Sequence, residues 1–330
     1  MIVSDYNYFC FAYYYTMAKY RNHLPQLSDK LFIVSGGLET ALIFNRGMNL
    51  PYFAAHYALK EDTDREWMKN HIAKFVKVGQ KYNVGVILET PTWRANPDWI
   101  NKIDFSGEDV TSINRKAVDL INDIRNEYQT EKVPIVINGV VGPRGDGYNP
   151  TVVMSADEAQ VYHTPQIDAL SKTNADMITA VTLNYPEEAI GITRAAKEVH
   201  MPVAISFTLE TDGKLPNGQT LKEAIELVDN ATQKLPVYYM INCAHTSHFD
   251  HVLNPEEPWV RRIHGIKGNA SKKSHAELNE STVLDDGDSV DFGHCNQILL
   301  HRLKNLNILG GCCGTDTRHV EETCKACTKT

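Results

Sequence analysis

From Asp29 onward, short apolar runs alternate with longer segments of helical period, and this alternation constrains the fold more than any other feature. The runs cover residues 31–34, 84–88, 133–141, 176–183, 202–208, 237–243, 263–267 and 306–310. They are almost continuously apolar, the pattern of strands buried on both faces of a parallel sheet covered by helices. Helices are expected over residues 64–82, 108–128, 155–173, 187–199, 220–234, 288–304 and 316–327. Ser155 and Glu158 make a capping-box pattern at the start of one of them. Eight strand-then-helix units in roughly 300 residues fit a closed (β/α)8 TIM barrel of the α/β class better than an open doubly wound sheet.

No linker, low-complexity tract or internal boundary interrupts this pattern, so residues 29–330 are read as a single barrel domain. Residues 1–28 are read as an N-terminal extension, expected to pack poorly and to take no part in the chemistry. Six tyrosines lie between Tyr6 and Tyr20, without the basic start and clean apolar core of a signal peptide. Met17 is a candidate start of translation.

In such a barrel the loops at the carboxyl ends of the strands carry the active residues. Cys243 ends the sixth run, and Cys312 and Cys313 follow the eighth, in Leu-Asn-Ile-Leu-Gly-Gly-Cys-Cys-Gly-Thr from Leu306 to Thr315. Two adjacent thiolates on a glycine-bent backbone make half of a site for a soft or borderline metal. Cys243 is the best candidate for the third ligand. Three protein thiolates with an open fourth position form a catalytic rather than a structural zinc layout. The alternative is that these cysteines are buried small hydrophobes. A rival four-cysteine site from Cys312, Cys313, Cys324 and Cys327 would leave Cys243 unexplained. His245, His248 and His251 form either a second metal site or, as favoured here, a polar loop over the pocket.

The chain has 7 cysteines, an odd number that fits a reducing cytoplasm better than an oxidised exterior. A net charge of -8 argues against nucleic acid or an anionic membrane as main partner and leaves small molecules. No apolar run is long enough to span a bilayer.

Other rim positions suggest how a substrate is held. Gly36 and Gly37, with Glu39 and Thr40, sit at the first strand–helix turn, where backbone N–H groups can approach a carboxylate. Glu39 and Glu89 are acids at the ends of the first two strands and candidate partners of a substrate ammonium; a structural contact is the alternative for each. Trp93, Tyr148, Tyr185 and Trp259 lie on loops and could present aromatic faces to a cationic methyl donor, with ordinary packing as the alternative.

Taken together these residues resemble the homocysteine S-methyltransferase family of zinc-dependent, single-barrel enzymes, over about residues 30–328. The most specific parts are Asn242-Cys243 and Gly310-Gly311-Cys312-Cys313-Gly314-Thr315, supported by Gly36-Gly37-Leu38-x-Thr40 and Gly142-Pro143. The resemblance implies zinc held by Cys243, Cys312 and Cys313, with homocysteine's sulfur in the open position and substrate contacts at the first turn and Asn242. It implies methyl transfer from a sulfonium or betaine-type donor to the homocysteine thiolate, giving methionine. Ser35 stands where the family usually has Asp, and Val181-Thr182-Leu183 lacks the Glu often found at the fourth strand's end, with Glu187 and Glu188 just beyond. The ammonium-holding role then falls to Glu39 and Glu89. One barrel alone is expected, without a folate or cobalamin module. Competing readings are methyl transfer to another thiol or selenol, Lewis-acid chemistry on a carbonyl, and a catalytically silent zinc- or thiol-binding barrel.

Overall fold

The structure, a computed structural model, describes residues 18–103, 109–150 and 153–328. Eight parallel strands close into one barrel in sequential order: β1 (Phe32–Val34), β2 (Gly85–Glu89), β3 (Ile135–Val141), β4 (Met177–Leu183), β5 (Val203–Phe207), β6 (Tyr239–Asn242), β7 (Ile263–Gly268) and β8 (Ile308–Gly311). Closure comes from β1 pairing with β8, Phe32 opposite Ile308 and Ile33 opposite Leu309. The long helices are α1 (Asp62–Tyr82), α2 (Val110–Tyr128), α3 (Ala156–Ser171), α4 (Pro186–Glu198), α5 (Leu221–Thr232), α6 (Ser289–Arg302) and α7 (Thr317–Cys327). The capping box expected at Ser155 and Glu158 is formed.

One unit departs from the expected alternation. β6 is followed only by a four-residue helix, Thr246–Phe249, and by 3-10 turns over Asp250–Val252 and Pro258–Arg262. Pro255 and Pro258 interrupt this segment, and proline is poorly tolerated inside a helix.

Side chains alternate between two apolar layers, as the two-residue period of a strand requires. Ile33, Val86, Leu88, Ile135, Ile137 and Ile178 point outward into the layer beneath the helices. Phe32, Val34, Ile87, Val136, Met177 and Tyr238 point inward and fill the amino-terminal half of the barrel. Towards the carboxyl ends the interior turns polar: Thr179 donates to Asn138 at 2.9 Å, and Ser206 donates to Asn242 at 2.6 Å. The cavity is thus closed below by hydrocarbon and floored by hydrogen-bonded polar groups.

Residues 18–28 correct the expectation of a poorly packed extension; residues 1–17 lie outside the described residues. Leu24 is buried in the barrel-filling layer. Arg21 donates to the carbonyls of Ser171, Thr173 and Ala175 at 2.8, 2.9 and 2.7 Å, and the Tyr20 N–H donates to Asp176 at 2.8 Å. The same Asp176 carboxylate pairs with Arg125 at 2.8 Å and accepts from the Ile137 N–H. This stretch caps the amino-terminal end of the barrel because it offers both an apolar plug and donors for carbonyls left at that end. No helix among the described residues is long and apolar enough to cross a membrane.

Candidate functional site

The barrel brings the three cysteines together as the sequence suggested. The Sγ atoms of Cys243, Cys312 and Cys313 all lie within 4.8 Å of one another at the carboxyl rim. The sulfurs of Cys243 and Cys312 are in direct contact, with Cα atoms 5.4 Å apart, and that of Cys313 lies beside them. The contact is across strands, not between the adjacent residues.

Several backbone contacts hold this geometry. Cys243 sits in the left-handed region at φ 54°, a conformation that costs a non-glycine residue about 1–3 kcal/mol. Its carbonyl accepts from Asn269 Nδ2 at 3.0 Å and from His275 Nε2, whose other ring nitrogen contacts Glu210 at 3.0 Å. Asn269 Oδ1 accepts in turn from the Cys313 N–H at 3.2 Å. One side-chain amide therefore ties the cysteine that follows β6 to one that follows β8. The Gly36–Gly37 turn packs directly on the cysteine loop: a Cβ at Gly37 would fall 2.5 Å from the Cys312 carbonyl oxygen. The Gly37 N–H donates to Thr315 at 3.2 Å, and Thr40 Oγ1 donates to the Gly37 carbonyl at 2.9 Å. The Gly37 N–H of the expected anion-binding turn is thus committed to the loop that carries the cysteines.

The mouth above the cysteines is a cavity of about 330 Å³ that includes Gly36, Gly37, Glu39, Thr40, Glu89 and Asn242 in its wall. Burial pushes the Cys313 thiol up to about 11; Glu39 adds to this and Lys267 opposes it. A bound cation is what would make this sulfur a thiolate at neutral pH. Glu89 forms an ion pair with Lys267 and accepts from Ser35 Oγ at 3.5 Å. Ser35 therefore serves Glu89 in this chain. Glu39 has no ion-pair partner among the described residues, and burial raises its carboxyl, with Lys267 opposing and Glu89 adding. Glu188 is committed elsewhere, to His163 at 2.8 Å and to the Arg144 N–H at 2.8 Å. Asn242 spends its oxygen on Thr182 N–H and Ser206, and its nitrogen on Thr182 Oγ1 at 2.9 Å. These bonds hold the turn at Thr182, which is itself left-handed at φ 60°.

Of the four aromatic candidates, Trp93 and Tyr148 line the cavity and Tyr185 and Trp259 do not. Tyr148 packs on His275 with ring centroids 4.2 Å apart, and Trp93 keeps a buried indole N–H without a partner. Tyr185 is buried at the start of α4, where its hydroxyl accepts from the Met154 N–H at 3.2 Å. Trp259 is buried in the outer core. It belongs to the turn that feeds β7, at the opposite end from the rim, because no long helix follows β6. The histidine loop forms no metal cluster among the described residues. His245 caps the short helix through the Ser247 N–H, and His248 contacts the Lys272 carbonyl at 2.9 Å. Cys324 and Cys327 lie on α7 outside the three-cysteine group.

Sequence reasoning did not single out Arg94, Lys267, Asn269, His275 or Glu210. The one available signal was Lys267, a charge at the end of an otherwise apolar strand.

A (β/α)8 barrel with three cysteines converging at the mouth of a closed-bottomed cavity has the architecture of a metal–thiolate enzyme. The family model for homocysteine S-methyltransferase matches residues 32–327, and the chain belongs to that family. It is 22% identical over 257 residues to homocysteine S-methyltransferase 2 of Arabidopsis thaliana, covering 69% of this chain and 74% of that protein. It is 25% identical over 220 residues to the homocysteine S-methyltransferase of Escherichia coli, covering 61% of this chain and 66% of that protein. The fold superposes on the metallated form of the Escherichia coli homocysteine methyltransferase MmuM with a TM-score of 0.70 at 20% identity, covering 90% of this chain and 96% of that one. The oxidised form of the same protein gives a TM-score of 0.69 at 21% identity, covering 91% and 97%.

Proposed function

We propose that this protein is a zinc-dependent methyltransferase that moves a methyl group from a sulfonium or betaine-type donor to the thiolate of homocysteine, giving methionine. The observation that carries the reading is the convergence of Cys243, Cys312 and Cys313 within 4.8 Å at the mouth of the barrel. An all-sulfur donor set fits zinc better than calcium or magnesium, which take oxygen ligands. The similar MmuM exists in a metallated form, which supports the same assignment.

Zinc held by the three cysteines would keep the acceptor's sulfur deprotonated in the open fourth position. The chain's own groups do the rest. Glu39 takes the acceptor's ammonium. Asn269 and His275 fix the Cys243 backbone, so the sulfurs need no rearrangement when substrate arrives. Trp93 and Tyr148 offer aromatic faces to the donor's cationic centre. The new S–C bond forms as the bond from methyl to the donor's positive sulfur or nitrogen breaks, and that electron pair stays on the donor. The donor leaves neutral, so the site needs no general acid. The plugged barrel keeps bulk water from one side and holds the two substrates together.

The test is zinc content of reduced, anaerobically reconstituted protein, wild type against Cys312→Ser, with homocysteine methylation from S-methylmethionine, S-adenosylmethionine and betaine. We expect about one zinc per wild-type chain, close to none in the variant, and methionine from one of the donors. Zinc without turnover on any donor moves the acceptor to another thiol or selenol, or leaves a silent barrel. A wild type that takes up no zinc overturns the reading.

A further inference from the structure

We propose that the buried pair His163–Glu188 positions the methyl donor from a distance: it fixes the loop from Gly142 to Tyr148, and that loop sets the two aromatic faces of the cavity. This rests on the methyl-transfer reading and adds to it two positioning residues that touch neither substrate. His163 on α3 is fully buried, and Glu188 on α4 is 1% exposed. His163 Nε2 lies 2.8 Å from a Glu188 carboxylate oxygen, and the other ring nitrogen has no partner. Neither residue lines the cavity.

The same Glu188 oxygen accepts from the Arg144 N–H at 2.8 Å. That N–H donates to no backbone carbonyl among the described residues. The Arg144 guanidinium lies over the Tyr162 ring at 4.6 Å, so α3 and α4 hold this residue by main chain and side chain together. Side chains also hold the carbonyls that follow. Trp99 Nε1 donates to Arg144 at 3.1 Å, Arg94 to Gly145 at 2.8 Å and Asn184 to Asp146 at 2.9 Å. Within the loop, the Asp146 carboxylate accepts from the Tyr148 N–H at 2.8 Å. Glu188 is thus the acceptor that reaches this loop from outside it. Two apolar side chains of similar volume would pack α3 on α4 as stably as a buried polar pair. Hydrocarbon at position 188 would, however, leave the Arg144 N–H without its acceptor, and the loop would have to shift to find another.

The loop in turn encloses Trp93. A Cβ at Gly142 would fall 2.4 Å from the Trp93 carbonyl oxygen and 2.5 Å from its ring carbon Cδ1, and one at Gly147 would lie 3.6 Å from Cζ2. Loop backbone therefore touches both rings of the indole. Tyr148, at the end of the loop, packs on His275 with ring centroids 4.2 Å apart. A shift at Arg144 is passed to both aromatic faces at once, and small misplacements of groups that orient a substrate are costly in rate. The three cysteines lie on other loops, after β6 and β8, so zinc and acceptor should not feel the change.

The experiment compares zinc-loaded wild type with Glu188→Met, Glu188→Gln and His163→Phe, and with Leu24→Ala as a variant weakened at the opposite end of the barrel. KM and kcat are read for homocysteine and for whichever of S-methylmethionine, S-adenosylmethionine and betaine is turned over. Hydrogen–deuterium exchange is read on peptides spanning residues 142–148. Glu188→Met should raise the donor KM roughly 10–100-fold and leave the homocysteine KM and the zinc content near those of wild type. Glu188→Gln, whose amide oxygen still accepts from Arg144, should recover most of the loss. His163→Phe should move the donor KM in the same direction, and it carries the test if Glu188→Met does not fold. The loop should exchange faster in Glu188→Met and at the wild-type rate in Leu24→Ala. An unchanged donor KM, an equal rise for donor and homocysteine, a Glu188→Gln as impaired as Glu188→Met, or the same donor loss in Leu24→Ala overturns the proposal. If wild type turns over no donor, the methyl-transfer reading falls and exchange alone decides the rest: a faster loop in Glu188→Met upholds the pair's hold on it, and an unchanged rate overturns that too.

Discussion

Asn269 touches the backbones of two of the three clustered cysteines with one side chain, accepting from Cys313 and donating to Cys243. Asn269→Ala should therefore weaken zinc binding by about 10–100-fold, the usual cost of removing an outer-shell partner. Competition against a chromophoric chelator measures this, and the absorption bands of the cobalt-substituted protein report whether the sulfur geometry relaxes. An unchanged affinity and spectrum would reduce Asn269 to packing. The three cysteines were legible in the sequence because adjacent thiols between glycines at a strand end have few other uses. Arg94, Lys267 and Asn269 were not, because their meaning lies in their partners. Lys267 meets Glu89 across 178 residues of chain, and only closure of the barrel reveals that Glu89 is neutralised and Glu39 is not.

The strands were legible as elements because burial on both faces leaves apolar runs too short for a helix. The sequence reading placed no helix after the sixth run, and without one between them Trp259 had no marker of position: a loop residue can leave one strand or enter the next, and here it enters β7. α1 and the turn before it carry a pH dependence. Burial lowers both His56 and His71 to about 4. The native protein thus stays unprotonated at these positions where the unfolded chain, with an imidazole near pH 6.5, takes up protons. Their stabilising effect is full above about pH 6.5 and is lost as pH falls towards 4, by about 1.4 kcal/mol per pH unit for each group. Urea midpoints at pH 7.5 and pH 5 should show the decline, and His56→Gln should make it shallower. A flat profile would mean that the two imidazoles are solvated in the native state.

At the scale of the molecule, the barrel is plugged at one end and open at the other, and the plug comes partly from outside the strands. Leu24→Ala removes buried hydrocarbon from the layer that also holds Phe32, Met177 and Tyr238. It should destabilise the whole domain by about 2–4 kcal/mol, as deletions in well-packed cores do. Zinc stoichiometry should be unchanged, because the cysteines sit at the far rim. Chemical denaturation followed by metal analysis tests both statements, and a variant of unaltered stability would restore the view of this stretch as loosely attached.

The seam between β1 and β8 also has a consequence in time. Cys312 and Cys313 follow the last strand, and the turn they pack against, Gly36–Gly37, follows the first. A chain growing on the ribosome carries Cys243 and the first turn long before their partners exist. The centre cannot be assembled piecemeal during synthesis. A metal held by these thiols would have to arrive after the last strand has been made, and the loss of that strand would leave only Cys243 of the three.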